Sequence, residues 1–437
     1  MSESINFQVQ PGGTLVGEIR VPGDKSISHR SIMLGAIAEG VTHVTGFLEA
    51  EDALATLNTF RAMGVSIEGP DQGKVTIHGV GLHGLKQPDG PLYLGNSGTS
   101  MRLLSGLLAG QKFDTILTGD ESLSKRPMKR VTVPLADMGA NIETTEQGTP
   151  PLHIHGNTPL TGIHYDMPIA SAQVKSCLLL AGLYAQGSTS ITEPAPTRDH
   201  TERMLTGCGY PLDRQDDKVT ISSGHSLQAV DIDVPSDISS AAFFLVAGSI
   251  AQDSDITLLH VGINPTRTGI IDILRLMGAN IEMLNEKVVG GEPVADLRVR
   301  SSQLQGIEIP EHLVPLAIDE FPVLFVAAAC AKGQTVLTGA EELRVKESDR
   351  IQVMADGLNQ LGVDAQATPD GMIINQSTIQ GGEVISHGDH RIAMAFAIAG
   401  LKAEAPITIL DCENVNTSFP NFVELIRGLG LNIKIAQ

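Results

Sequence analysis

Three short stretches of this 437-residue chain combine residue types that hold anions and move protons. The first is Val21-Pro22-Gly23-Asp24-Lys25-Ser26-Ile27-Ser28-His29-Arg30, a turn leading straight into an apolar helical run at 31–38. The unpaired N–H groups and positive dipole end of such a helix start favour a phosphate or carboxylate. Ser26 or Ser28 is placed to cap it, and Lys25 and Arg30 add full charges. By itself the decapeptide fits an ordinary capped helix equally well. The second stretch, 118–130, carries Lys125, Arg126, Lys129 and Arg130, and solvated basic turns share that composition. The third is Glu341-Glu342-Leu343-Arg344-Val345-Lys346-Glu347-Ser348-Asp349-Arg350. On a helix Lys346, Glu347 and Arg350 would share an arc of about 100°. A carboxyl group flanked by cations could pass a proton to a bound anion, whereas a surface Glu347 to Arg350 ion pair would do nothing chemical. Asp319 is a second candidate carboxylate, compatible with an N-cap role.

Such groups need elements to aim them, and the chain supplies these by repetition. A glycine phrase of the form Arg275-Leu276-Met277-Gly278-Ala279-Asn280-Ile281-Glu282 recurs with its glycine at 64, 139, 209, 278, 362 and 430. Each copy predicts a helix ended by a glycine and followed by a strand. Upstream of each lies a second helix rich in Ala, Gly and Leu, at 30–38, 102–109, 175–185, 241–251, 321–331 and 391–401. Strands with β-branched residues follow, as in Thr115-Ile116-Leu117-Thr118 and Ile407-Thr408-Ile409-Leu410. The unit is strand, helix, strand, helix, strand, strand, six times over. The first helix of each unit is apolar on nearly every side and should be buried. Three units per domain gives a first domain at 21–234 and a second at 1–20 plus 235–437, closed by one N-terminal strand at about 5–20. The helix starts carry Asn96-Ser97-Gly98, Ser171-Ala172-Gln173, Ser236-Asp237, Asp319-Glu320 and Gly388-Asp389-His390-Arg391. If the buried helices run parallel, these junctions face a common gap and their dipoles add there.

Composition narrows the partners. The 30 basic and 50 acidic residues give a net charge of −20, which disfavours nucleic acid, and 3% aromatics without Trp leave no stacking platform. No apolar run reaches the roughly 20 residues of a membrane span. The first ten residues lack a signal-peptide pattern, so a cytoplasmic location is expected. Cys177, Cys208, Cys330 and Cys412 form no C-x-x-C pair, and Cys177 and Cys330 are expected to be small core residues. The thirteen histidines are read as offering neither an H-E-x-x-H signature nor a close pair, His387 and His390 being assigned structural or hydrogen-bonding roles. Neither a P-loop nor a dinucleotide glycine fingerprint is present, so no nucleotide or nicotinamide is implied.

Taken together, Gly23-Asp24-Lys25-Ser26 with Arg30, Gly95-Asn96-Ser97-Gly98-Thr99 with Arg102, Lys125-Arg126-Pro127-Met128, Ser171-Ala172-Gln173, Arg198-Asp199-His200-Thr201-Glu202, Asp319-Glu320, the 344–350 stretch and Asp389-His390-Arg391 resemble the 5-enolpyruvylshikimate-3-phosphate synthase family over essentially the whole chain. The resemblance implies a two-domain α/β enolpyruvyl transferase fold of six repeats, three per domain around buried parallel helices. It implies transfer of the enolpyruvyl group of phosphoenolpyruvate to the 5-hydroxyl of 3-phosphoshikimate with release of phosphate, without metal or organic cofactor, in a monomer. By the same resemblance Lys25, Ser26, Arg30, Ser171, Ala172, Gln173, Arg198, Asp319 and Lys346 would hold 3-phosphoshikimate. Lys25, Gly98, Arg126, Gln173, Arg350 and Arg391 would hold phosphoenolpyruvate. Asp319 would take the hydroxyl proton, and Glu347, assisted by Lys25, would protonate the methylene carbon. Ala172 and Thr417 resemble the family's second subclass, whose members often tolerate glyphosate, while Gly98 stands where an alanine would crowd that inhibitor out. A sister enzyme acting on UDP-N-acetylglucosamine shares the fold, but has a Lys-Asn pair at Lys25-Ser26 and a reactive cysteine in the 120–127 loop, which this chain lacks.

Overall fold

The computed structural model describes residues 5–436. Along them the α-helices come in pairs: α1 (Lys25–Ile37) with α2 (Glu51–Ala62), α3 (Gly98–Ala109) with α4 (Lys129–Asp137), α5 (Ala172–Gly182) with α6 (His200–Gly207), α7 (Ile238–Ile250) with α8 (Gly269–Leu276), α9 (Phe321–Cys330) with α10 (Arg350–Gln360), and α11 (His390–Ala399) with α12 (Phe422–Leu429). The odd-numbered helices are the apolar ones. In α7 all 13 residues are buried, and no face is left for water because Ile238-Ser239-Ser240-Ala241-Ala242-Phe243-Phe244 offers nothing long and charged. The even-numbered helices carry one apolar stripe. In α12 this is Phe422, Val423, Ile426 and Leu429, the i, i+3, i+4, i+7 spacing of a helix covering a core.

Each even-numbered helix stops in the same way. Its glycine, Gly64, Gly139, Gly209, Gly278, Gly362 or Gly430, has a positive φ. The next N–H reaches back five residues, as in Val65 N to Phe60 O at 3.0 Å and Ala279 N to Leu274 O at 2.9 Å. That is the Schellman closure, and only glycine adopts its left-handed residue without strain.

The chain divides into two compact units. The first comprises Gly23–Val234 with the short segment Val289–Glu292, and the second Met1–Pro22, Pro235–Val288 and Pro293–Gln437. Each has its own apolar core, one built around Leu34, Leu104 and Leu179, the other around Phe244, Phe325 and Phe396. In the first unit α3 and α5 approach so closely at Gly106 that a Cβ there would sit 2.0 Å from Cys177 O, which requires glycine.

Three small sheets cover the helices of each unit, all mixed but one of the second unit, where Gln334–Leu337, Gly371–Asn375 and Ala365–Thr368 pair antiparallel. In the first unit Leu92–Tyr93 pairs parallel with Thr115–Thr118, which pairs antiparallel with Leu152–His155, which pairs antiparallel with Asn141–Glu143. The sheet of the first repeat takes its parallel edge strand, Ile232–Asp233, from the far end of the unit.

Three sequence expectations change. The N-terminal segment forms two strands, because Gly12 and Gly13 turn the backbone through positive φ between them. Asn6–Val9 lies between Ile407–Leu410 and Ile433–Ala436, whereas Val16–Ile19 joins a different sheet beside Asp255–Gly262. The cap of α1 is Asp24, whose carboxylate accepts from Ile27 N at 2.8 Å; Ser28 is buried and accepts from Leu48 N instead. Lys346 and Glu347 do not lie on a helix. A 3-10 turn at Glu341–Val345 ends before them, and α10 starts at Arg350 under the cap of Asp349, whose carboxylate accepts from Gln352 N at 3.0 Å.

Candidate functional site

Two cationic clusters emerge, one in each unit. In the first unit, Arg30 is buried on α1 and every arm of its guanidinium is held: Nε donates to Thr201 Oγ1 at 2.7 Å, Nη1 to Ser26 O at 2.9 Å and Nη2 to Ser176 Oγ at 2.8 Å. Burial lowers its pKa to about 10, with Arg198 adding to the lowering and Glu202, Asp24 and Glu292 opposing it, so it stays charged at neutral pH. Ser26, Thr201 and Ser176 therefore fix a cation at the start of α1. Lys25, one turn back, pairs with the buried Asp52 of α2.

The platform under this cluster is itself ionic. Lys175, completely buried on α5, bridges Glu193 at 2.6 Å and Glu202 at 2.7 Å. Glu193 also accepts from Thr197 N at 3.0 Å. This ties α5 to the 193–199 segment that carries Arg198 and to α6 that carries Thr201. His200 completes the seam, its Nδ1 standing 2.9 Å from Glu292 Oε1.

The start of α3 supplies the remaining groups of this unit. Arg102 Nη1 donates to Gln173 Oε1 at 2.6 Å, and Gln173 Nε2 donates to Thr99 Oγ1 at 3.0 Å. Arg126 Nη2 donates to Asn96 Oδ1 at 2.6 Å, and Asn96 Nδ2 in turn donates to Asp120 Oδ2 at 2.7 Å. Gly98 lies under both arginines: a Cβ there would stand 3.1 Å from Arg126 Nη1 and 3.2 Å from Arg102 Nη1. Of the four basic residues at 118–130, only Arg126 joins this network. Lys125 makes an exposed pair with Glu121, and Lys129 and Arg130 face solvent on α4. Ser171 caps α5 through Val174 N, and Ala172 and Gln173 form the first turn of that helix.

In the second unit the centre is Arg350, whose side chain is 1% exposed. It donates to Asp389 through Nε at 2.8 Å and Nη2 at 3.2 Å, to Glu347 Oε2 at 2.7 Å, and lies 3.4 Å from Asp319 Oδ1. Burial alone would lower its pKa, but the carboxylates of Asp389, Glu347 and Asp319 raise it, fixing the positive charge. Burial works to raise the Asp389 pKa, and the Arg350 guanidinium outweighs this and holds it below the usual carboxylate range. Asp389 also caps α11 through Arg391 N, while Arg391 Nη1 donates to Asp319 O at 3.2 Å. Lys346 Nζ donates to Glu342 at 2.8 Å and stands 3.5 Å from Asp319 Oδ1. Asp319 does not cap α9, whose start is marked by Glu320 and Pro322 instead. The arrangement thus places two part-exposed carboxylates, Asp319 and Glu347, on one buried guanidinium, with a lysine beside the first.

Sequence reasoning left out Asp52, Thr201 and Ser176 as the groups that hold Lys25 and Arg30, and took Asp389 only as part of a helix junction. No local pattern marks Asp52 or Ser176; they read as ordinary helix residues. Lys175 was legible as an anomaly, being the one charge in the apolar run 174–182. Cys177, Cys208 and Cys412 are buried, and burial pushes the Cys208 thiol up to about 11 and that of Cys412 up to about 12, so neither supplies a thiolate. Cys330 is part-buried against the core rather than fully inside it. Thr417 is buried with its hydroxyl on Asn414 O. Among the described residues no helix is long and apolar enough to cross a membrane.

Against known proteins, residues 9–426 match the family model described as EPSP synthase (3-phosphoshikimate 1-carboxyvinyltransferase). The chain belongs to the EPSP synthase family. It is 69% identical over 434 residues to a 3-phosphoshikimate 1-carboxyvinyltransferase of Methylococcus capsulatus, covering 99% of each chain. It is 68% identical to the enzyme of the same name from Hydrogenovibrio crunogenus, covering both completely. Among solved structures, EPSP synthase from Acinetobacter baumannii superposes with a TM-score of 0.90 at 60% identity, covering 100% of both chains. The enolpyruvyl transferase NikO from Streptomyces tendae, at 17% identity, covers 99% of each chain with a TM-score of 0.80 and shares the fold. The enolpyruvyl transferase fold that the resemblance implied is therefore the observed one.

Proposed function

We propose that the two cationic clusters serve the two substrates of one reaction, the family's transfer of the enolpyruvyl group of phosphoenolpyruvate to 3-phosphoshikimate. The chain is a 3-phosphoshikimate 1-carboxyvinyltransferase of the shikimate pathway, acting in aromatic amino acid biosynthesis. In this reading Lys25, Ser26, Arg30, Ser171, Ala172, Gln173, Arg198, Asp319 and Lys346 hold 3-phosphoshikimate. Arg30 is suited to the phosphate because its guanidinium is already oriented, so little side-chain entropy is lost on binding. Lys25, Gly98, Arg126, Gln173, Arg350 and Arg391 hold phosphoenolpyruvate.

The chemistry then needs two proton transfers and a leaving phosphate. Asp319 accepts the proton of the 5-hydroxyl as its oxygen attacks C2 of phosphoenolpyruvate, and Glu347, with Lys25 assisting, delivers a proton to the methylene carbon. The resulting tetrahedral adduct loses phosphate as the proton is removed again from the methyl group, which restores the double bond. The observation that carries the assignment is the sharing of Arg350 by Asp319 and Glu347. Two carboxylates sharing one cation support a reading in which one takes and the other gives a proton.

The test is phosphate release from phosphoenolpyruvate on adding 3-phosphoshikimate, measured for the protein and for Glu347→Gln. Retained binding of both substrates with turnover lost supports the assignment; normal turnover removes Glu347 from proton transfer. Ala172 and Thr417 support membership in the second subclass, which a glyphosate inhibition titration tests. A monomer in the cytoplasm is part of the same proposal, checked by sedimentation at working concentration.

A further inference from the structure

On the solvent face of the sheet that covers α3 and α4, among residues given no role above, two histidines and two carboxylates converge. His153 and His155 alternate on the strand Leu152–His155 with Leu152 and Ile154, which are buried, so both imidazoles point outward. Their ring centroids are 4.3 Å apart. Asp114 precedes the strand Thr115–Thr118, and because Thr115 pairs with Ile154, Asp114 stands beside His155. On the opposite neighbour strand, Glu143 pairs with His153.

Which atoms are already engaged is informative. Asp114 Oδ1 accepts from Gly156 N at 2.9 Å, and that bond is the main reason its carboxyl stays below the usual range. Its Oδ2 is left 3.6 Å from His155 Nδ1 and 3.9 Å from His153 Nε2. His155 Nε2 stands 2.9 Å from Glu143 Oε1. With the proton on Nε2 directed to that carboxylate, Nδ1 presents a lone pair toward Asp114 Oδ2. One donor atom from each of Asp114, His153 and His155 lies within 4.8 Å of the other two.

We infer that Asp114, His153 and His155 form a surface site for a divalent metal of the zinc class, with Glu143 orienting His155 from behind. In tetrahedral coordination with bonds of about 2.0–2.1 Å, ligand atoms sit about 3.3 Å apart. The two separations to Asp114, 3.6 and 3.9 Å, exceed that by about 0.3 and 0.6 Å, within reach of small rotations of part-exposed rings. Two neutral imidazoles and a carboxylate suit Zn²⁺ over Mg²⁺ or Ca²⁺, which prefer oxygen. The carboxylate–histidine pairing at His155 is the usual outer support of a zinc-bound imidazole. The remaining position is open to water. Bound metal would tie the 111–114 turn to the strand it faces, a structural rather than catalytic role. The competing account is a pair of protonated histidines neutralised by acids, which would bind no metal.

The intact protein is titrated with Co²⁺, read by its visible ligand-field absorption, and then with Zn²⁺ in displacement. The inference expects one equivalent of Co²⁺ with tetrahedral intensity, its displacement by Zn²⁺, and a rise in thermal midpoint with Zn²⁺. His153→Asn with His155→Asn should abolish all three, and Glu143→Gln should weaken affinity by roughly 10-fold. Phosphate release should be unchanged in these variants, which also shows that they fold. Absence of Co²⁺ binding, or equal uptake by the double variant, overturns the site.

Discussion

The guanidinium of Arg350 meets the carboxylate of Asp389 through two nitrogens, at 2.8 and 3.2 Å, with both side chains withdrawn from solvent. One residue at the start of α10 is thereby locked to one at the start of α11, while the same guanidinium also meets Glu347 through Nη2 and Asp319 through Nη1.

Breaking that lock should be costly. Asp389→Asn leaves a buried guanidinium short of its main counter-charge while keeping an oxygen to cap α11. The expected loss is about 3–5 kcal/mol, the range for removing one partner of a buried pair. Urea midpoints at constant slope would measure it. Because Asp389 is held below its ordinary pKa of 3.8, its contribution is full above that pH and is lost as the pH falls through the lower folded value.

Glu347→Gln preserves size and keeps an oxygen that can accept from Arg350, so the fold and binding of both substrates should survive. Turnover should fall by roughly 10²–10⁴, the usual contribution of a positioned acid or base. Calorimetric binding beside steady-state phosphate release separates the two effects.

Gly98→Ala would push on two guanidinium groups at once, at 3.1 and 3.2 Å. Arginine ends can yield by a few tenths of an ångström, so the helix start should remain intact. The displaced Arg126 should raise the KM for phosphoenolpyruvate by about 10-fold, equivalent to ~1.4 kcal/mol, with little change for 3-phosphoshikimate. An unchanged KM would show that Arg126 does not grip that substrate.

His29 is buried on α1 with its Nδ1 2.8 Å from Thr56 Oγ1. Burial first, and then the charges of Lys25 and Arg30, lower its pKa well below 6.5. The unfolded chain therefore binds a proton that the folded one refuses, and stability falls as the pH drops below about 6.5 toward the folded value, by up to about 1.4 kcal/mol per pH unit. His29→Gln should flatten that part of the stability profile relative to the unaltered protein. Parallel profiles between pH 7 and 5 would contradict the assignment.

Periodicity carried most of the architecture. The glycines at 64, 139, 209, 278, 362 and 430 could be read as helix stops because only a left-handed residue needs glycine there, and all six have that conformation. Helices such as α7 were legible since thirteen residues without a long charged side chain have nowhere to go but inside. The site was legible where charges sat at helix starts, as with Arg30, Arg350 and Arg391. It was not where a charge depends on a partner distant in sequence: Lys25 on Asp52, Arg30 on Thr201 and Ser176, Arg350 on Asp389. The pair His153 and His155 escaped because its spacing belongs to a strand, not to a helical metal signature. Lys346 and Glu347 were put on a helix that starts only at Arg350, since the cap at Asp349 competes with an acidic run that reads as helical.

Asn6 lies opposite Ala436, and Val16 opposite Asp255. During synthesis on the ribosome both strands precede residues 23–234 yet pair only after them, Val16–Ile19 once Asp255–Gly262 is made and Asn6–Val9 once Ile407–Leu410 and Ile433–Ala436 are, when the core of Gly23–Val234 is already complete. The order of assembly is thus written into the chain: the inner segment can settle early, and the outer one is fastened only when its final strand arrives to clasp the beginning.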